Sequence, residues 1–327
     1  MTRPARASCH PRPAKDQPKT SHERLLAATW NNQSLGNSTR YEESFSYIAE
    51  VLSRFDVIAV QEVKRDLGEL DKLCTLLGPW WRYLVSDVTE GHRGNQERLV
   101  YVFDIRKVRH SGLADELVLP AQADADGEMR APRQIARTPF AVGRKAARFN
   151  SIIATVHISW GEEQPDHPLR VEEVRQIAKF LDQGRGQTRT LSRNLILLGH
   201  FTIFNPRSEA VAAFESVGFH IPHEREHLRA SNAGKDARYY DQIAFAFDDA
   251  VPAPHQMGVV DVFEAVYTDE KFAEYAPTLR TASGRIPANV GSYYRHHWRR
   301  RQMADHAVLW AELSVDFSGE YLRGQPV

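Results

Sequence analysis

Polar side chains of the kinds that bind cations and carry protons collect at the ends of apolar runs along this chain: Asn31, Glu62, Glu97, His157, His200 with Thr202, Asp241, and Asp305 with His306. Two carboxylates with an amide oxygen can hold a hard divalent cation, because Mg²⁺ prefers oxygen ligands and keeps several waters. Two histidines with carboxylate partners can handle protons near neutral pH. Together these groups point to metal-assisted hydrolysis of a phosphate ester. Any one of them alone is better explained as a turn cap or a solvated strand end. Their joint occurrence carries the reading.

An open sheet can gather such residues, since the ends of different strands meet at one edge and active sites are commonly built there. The apolar runs supply the strands. "RLLAATWN" (24–31) and "FDVIAVQE" (55–62) each end in polar residues, and between them Tyr41, Phe45, Ile48 and Leu52 have the spacing of an amphipathic helix. A second helix pattern covers 66–78. The segments "WWRYLVS", "ERLVYVFD", "TPFAVGR" and "SIIATVHIS" follow as strands, and 121–134 reads as an exposed loop. Segment 168–184 opens on Pro168 and closes on Gly184, which are helix boundary signals. A strand at "NLILLG", a short helix at 208–218, and strands at 241–247, 258–263 and 307–315 complete the pattern.

The 327 residues suffice for one large two-layer domain. No repeat or Pro/Gly-rich linker interrupts 24–315, so the expected organisation is a disordered leader over 1–22, a single domain over 23–317 and a tail over 318–327. Basic and acidic residues balance at 42 each, so attraction to a polyanion must come from local patches. One such patch is "YYRHHWRRRQMADH" (293–306), which reads equally as a phosphate-backbone contact or as a solvated loop anchored by Trp298. Trp160, just after His157, is either a wall of the cleft or ordinary packing. Only Cys9 and Cys74 are present, which excludes a disulfide framework and a zinc spacing and predicts a reducing, cytoplasmic setting. No apolar run approaches the roughly 20 residues of a membrane span, so no membrane insertion is expected. Nothing in the sequence identifies a protein partner.

The ordered run of "ATWNNQSLG", "IAVQEVKRD", "ERLVYVFD", "ARTPF", "ATVHISW", "LILLGHFTIF", "YYDQIAF" and "ADHAVLW" resembles the endonuclease/exonuclease/phosphatase superfamily, and within it the pancreatic deoxyribonuclease-like branch. The resemblance spans roughly residues 24–315. It implies an α/β fold, a four-layered α/β/β/α sandwich of two mixed β-sheets with the site in a cleft along one edge. It also implies that Asn31, Glu62 and Asp305 hold a divalent metal, Mg²⁺ first and Mn²⁺ second. His157 and His306 would flank the scissile phosphate, oriented by Glu97 and Asp241, and Arg137 would contact substrate phosphate. The substrate would be nucleic acid or another phosphodiester.

One tetrapeptide departs from that pattern. The family reads Gly-Asp-Phe-Asn where this chain has Gly199-His200-Phe201-Thr202. Thr202 can still donate one hydrogen bond, and a neutral His200 could take a softer metal or act as a base. The expected function is therefore a metal-dependent phosphodiesterase, a nuclease weakened or retuned by His200 and Thr202. The alternatives are a pseudonuclease that binds nucleic acid or another phosphate ligand without cutting it, and a phosphatase or phospholipid phosphodiesterase.

Overall fold

A computed structural model describes residues 23–37, 39–90, 94–123, 126–158, 164–185, 192–232, 238–249 and 251–316. The expected leader over 1–22, the tail over 318–327 and Trp160 lie outside the described residues. In chain order the strands are β1 (Arg24–Leu35), β2 (Val57–Lys64), β3 (Trp81–Val85), β4 (Glu97–Asp104), β5 (Arg109–Glu116), β6 (Gln122–Ala123), β7 (Met129–Arg130), β8 (Phe140–Ala146), β9 (Phe149–His157), β10 (Leu195–His200), β11 (Asp241–Ala246), β12 (Gln256–Val260) and β13 (Val308–Ser314). One sheet has six strands in the order β12-β13-β1-β2-β4-β3, and the other has five in the order β11-β10-β9-β8-β5. Both are mixed. β1 runs parallel to β2 and antiparallel to β13, while β10 runs parallel to β9 and antiparallel to β11.

Side-chain alternation along the strands sorts the apolar residues into three layers of core. Leu25, Ala27, Val57, Ala59, Tyr101, Val142, Ile153, Ile196, Leu198 and Leu309 face inward and join the two sheets. On the outer face of the first sheet, Trp30, Ile58, Val60 and Val100 meet Phe45, Ile48 and Leu52 of α1 (Glu42–Leu52) and Leu70 and Leu73 of α2 (Gly68–Leu77). On the outer face of the second, Ala154, Val156, Leu195 and Leu197 meet Val174 and Ile177 of α3 (Pro168–Arg185) and Ala213 and Phe214 of α4 (Glu209–Glu215). The result is an α/β/β/α sandwich, as the resemblance implies.

Three segments differ from the sequence-based expectation. β5, "RHSGLADE", is largely exposed at the edge of its sheet, so it lacks the apolar alternation that marks an inner strand. Residues 290–302 form consecutive helical turns rather than a loop. Tyr294 and Trp298, four residues apart, fall on one face and are buried in the core, while Arg295 and Arg299 each reach Asp269 at 3.2 Å. The 121–134 segment contains the short β6–β7 ribbon.

Candidate active site

Strand register places the candidate residues at one edge of the sandwich. His157 ends β9 and pairs with His200 at the end of parallel β10, and His200 in turn pairs with Asp241, the first residue of antiparallel β11. In the facing sheet Asn31 pairs with Gln61, and Glu62 follows where the β1–β2 and β2–β4 registers shift. Glu62 has φ 61°, in the left-handed region that non-glycine residues seldom occupy. Just below it, Gln61 bridges the two sheets, accepting from Thr29 Oγ1 at 3.2 Å and donating to Thr155 Oγ1 at 2.9 Å. This buried link fixes the spacing between the strands that carry Glu62 and His157.

Each catalytic-type histidine stands against its own carboxylate. His306 Nδ1 lies 2.6 Å from Asp241 Oδ2. Burial alone would lower His306, but Asp241 outweighs it and raises the imidazole to about 9. Its backbone is held too, since Trp30 Nε1 donates to His306 O at 3.0 Å and Ala307 N donates to Ser231 O at 2.6 Å. His157 Nδ1 lies 3.1 Å from Glu97 Oε2, and Arg137 Nε is 2.8 Å from the same oxygen. These are ion-pair distances without hydrogen-bond alignment. Burial would raise Glu97, yet His157, then Arg137 and Lys64, hold its carboxyl down at about 2. Glu97 is therefore ionised at any ordinary pH. Arg137, expected at substrate phosphate, is already engaged with Glu97.

The expected cation donors are close together but do not form a closed cage. Asn31 Nδ2 donates to Glu62 Oε1 at 2.9 Å, and His157 Nε2 is 3.9 Å from that same Glu62 oxygen. Among the described residues, no group of three His, Cys, Asp or Glu side chains is arranged to hold a metal ion. Asn31 Oδ1 and Asp305 Oδ1 are nevertheless buried with no hydrogen-bond partner. Burial pushes the Asp305 carboxyl up, and the Glu62 carboxylate adds to this against the pull of His306. Two orphaned oxygens beside two mutually repelling carboxylates fit a hard, oxygen-seeking dication, which would satisfy the one and relieve the other.

His200 fills the middle of the site. Its ring centroid is 4.8 Å from that of His157 and 4.9 Å from that of His306, edge-on to both, and Tyr240 closes a third side at 5.4 Å. Burial, reinforced by the neighbouring His157 and His306, drives the His200 pKa well below its usual value, so the ring is neutral. Thr202 Oγ1 makes long contacts of 3.5 Å to His200 Nδ1 and 3.4 Å to Ile158 O. Thr202 has φ 55°, a strained setting for a β-branched residue. Gly199 is obligatory before this turn, because with φ 139° a Cβ would lie 2.2 Å from Val156 O.

The structure also recruits residues that sequence reasoning passed over. Lys64 pairs across strands with Glu97 and donates to its Oε1 at 3.0 Å, as Asn95 does at 2.5 Å. Lys64 lies two residues beyond Glu62, but the register shift at Glu62 breaks the strand alternation there, so spacing alone would not have flagged it. Tyr240 stacks on His306 at 5.9 Å, next to Asp241 in sequence. The buried Arg170 lies over Phe204 at 5.2 Å and donates to the carbonyls of Gln164 and Pro165. Nothing in an amphipathic helix start would have singled it out.

No protein-family profile matches the chain, and no curated protein is similar to it in sequence. Solved structures are similar in fold. D. rerio TDP2 complexed with single strand DNA product aligns with a TM-score of 0.54 and 14% identity, over 88% of this chain and 98% of that chain. The human Nocturnin catalytic domain with bound sulfate anion aligns with a TM-score of 0.55 and 13% identity, over 90% and 94%. An endonuclease/exonuclease/phosphatase family protein from Bacteroides thetaiotaomicron aligns with a TM-score of 0.54 and 16% identity, over 90% and 96%. The fold is the endonuclease/exonuclease/phosphatase fold. At these identities the likeness is one of architecture, and no helix among the described residues is long and apolar enough to cross a membrane.

Proposed function

We propose that this chain is a divalent-metal-dependent phosphodiesterase, a nuclease acting on DNA or RNA, with residues 23–317 as one catalytic domain. The observation that carries this reading is the pair of histidines, each beside its own buried carboxylate, at the sheet edge that also holds Asn31, Glu62 and Asp305. A carboxylate behind a histidine fixes its tautomer and favours its protonated form. One histidine then takes a proton from the attacking water and the other gives a proton to the leaving oxygen as the P–O bond breaks. Asn31, Glu62 and Asp305 would hold Mg²⁺ or Mn²⁺, which when bound neutralises charge building on the phosphoryl oxygens. Glu97 keeps His157 and Arg137 in place by attracting both. The fold neighbours solved with a DNA product and with a sulfate anion are consistent with a phosphate-type ligand.

A second reading, a pseudonuclease that binds without cutting, is favoured by the neutral His200 between the two histidines. A neutral imidazole there supplies neither the negative charge nor the acceptor pair of an aspartate. Incubation with single- and double-stranded DNA, RNA and a bis-aryl phosphodiester, in Mg²⁺, Mn²⁺ and Zn²⁺, separates the two. Cleavage that falls by about 10²–10⁴-fold in His157→Ala is expected; tight binding with no cleavage would favour the pseudonuclease.

A further inference from the structure

At the other end of the sandwich a pocket of about 380 Å³ is lined by Arg24, Arg106, Lys107, Arg109 and Lys145 over a floor of Leu25, Ala146, Ala147 and Val315. Arg24 precedes Asn31 by seven residues on β1, so the pocket lies roughly 23 Å from the catalytic edge. The five cations come from three separate segments: the start of β1, the β4–β5 turn running into β5, and the end of β8. Among the described residues, no carboxylate lines the pocket. Behind the wall, Arg106 is paired with Asp104, and Lys107 is 3.1 Å from Asp56. Arg24, Arg109 and Lys145 have no such partner among the described residues.

The charge at the pocket is concentrated against ordinary packing preferences. Arg109 and Lys145 are direct cross-strand partners in the β5–β8 register, and like charges placed opposite each other destabilise a sheet. Next to Lys145, Arg144 is 1% exposed and its three guanidinium nitrogens have no hydrogen-bond partner. Its guanidinium rests 3.9 Å above the Phe103 ring, and Phe103 belongs to the same inter-sheet core as the pocket floor residues Leu25, Ala146 and Val315. A repelling surface pair is relieved by an anion bound between its members, whereas Arg144, which does not line the pocket, is held against the Phe103 ring.

We propose that this pocket is a binding site for a compact phosphoanion of two or three charges, a di- or triphosphate group, distinct from the catalytic edge. The volume falls in the range of small-ligand sites. Converging cations favour a compact anion over a nucleic-acid backbone, whose phosphates would be met by charges spread along a groove. The apolar floor accommodates whatever uncharged part the anion carries. This assignment does not depend on the chemistry at the other end.

Calorimetry on the full chain with pyrophosphate, in EDTA and at fixed ionic strength, tests it. One saturable site is expected, weakened about tenfold or more in the double variant Arg109→Ala/Lys145→Ala and unchanged in Glu62→Ala. Thermal melts keep the test falsifiable. Removing the cross-strand repulsion should leave the ligand-free double variant at least as stable as wild type, while its stabilisation by pyrophosphate disappears. A single Lys145→Met variant, expected to bind more weakly, checks the result with less disturbance. Equal stabilisation by chloride at the same ionic strength, binding indifferent to Arg109 and Lys145, or binding lost in Glu62→Ala would overturn the assignment. So would displacement of pyrophosphate by a short single-stranded oligonucleotide at comparable concentration, since the pocket would then be seating backbone phosphates.

Discussion

His200 and His157 are register partners on adjacent parallel strands, and their rings meet edge-on with centroids 4.8 Å apart. The same His200 ring touches His306 on its other side. A neutral imidazole thus stands between the two groups proposed to move protons. Around it stand His157 and His306 with their carboxylates Glu97 and Asp241, so the proposed activity is expected to turn on this central ring.

Replacing both altered residues tests this directly. In His200→Asp/Thr202→Asn, phosphodiesterase activity on DNA or RNA should rise by about tenfold or more, because a carboxylate would restore charge complementarity to the metal side. If the double variant folds, binds metal and gains nothing, the loop is not what limits the site.

Thr202 offers a test by stability alone. With φ 55° it holds a β-branched side chain in a conformation that asparagine tolerates far better. Thr202→Asn should therefore stabilise the fold by about 1 kcal/mol, read as an upward shift of the denaturation midpoint. Its hydroxyl makes only long contacts, at 3.4 and 3.5 Å, so little bonding is lost.

Glu97 predicts a pH dependence of stability. Its carboxyl titrates at about 2 when folded, below the ordinary 4.5, so its contribution is present above about 4.5 and is lost as pH falls toward 2. The stability gap between wild type and Glu97→Gln should be on the order of 3 kcal/mol at neutral pH. Denaturation from about pH 7 down to about pH 3 should show that gap closing. A gap that stays constant would mean that Glu97 acts by packing alone.

In the proposed donor set, cation binding depends on Glu62. Titration with Mg²⁺ and Mn²⁺ should show one site in wild type, weakened about tenfold or more in Glu62→Ala. Undiminished binding in that variant would place the ion elsewhere.

Gln61 makes the spacing between the sheets testable. Gln61→Leu removes both of its bonds and leaves the Thr155 hydroxyl buried with one partner fewer, so a loss of about 1–2 kcal/mol is expected. Activity should fall as well, since this link sets how closely Glu62 approaches His157.

Much of this site was readable from order and spacing. Apolar runs that end in Asn31, Glu62, His157 and His200 declare strands that carry polar residues to an edge, because alternation and strand length are local properties of the chain. The helix over 168–185 was legible from its proline and its periodicity. The polar edge strand β5 was not, and neither was the helical form of 290–302, whose buried face rests on Tyr294 and Trp298. What only the tertiary structure decided is which residues meet. His306 and Asp241 are 65 residues apart, and Trp30 and His306 are 276 apart, so register and sheet packing bring them into contact. The same register sets Arg109 opposite Lys145 and commits Arg137 and Lys64 to one carboxylate. Residue types along the chain state what chemistry is available; the pairing of distant strands determines which groups are close enough to perform it.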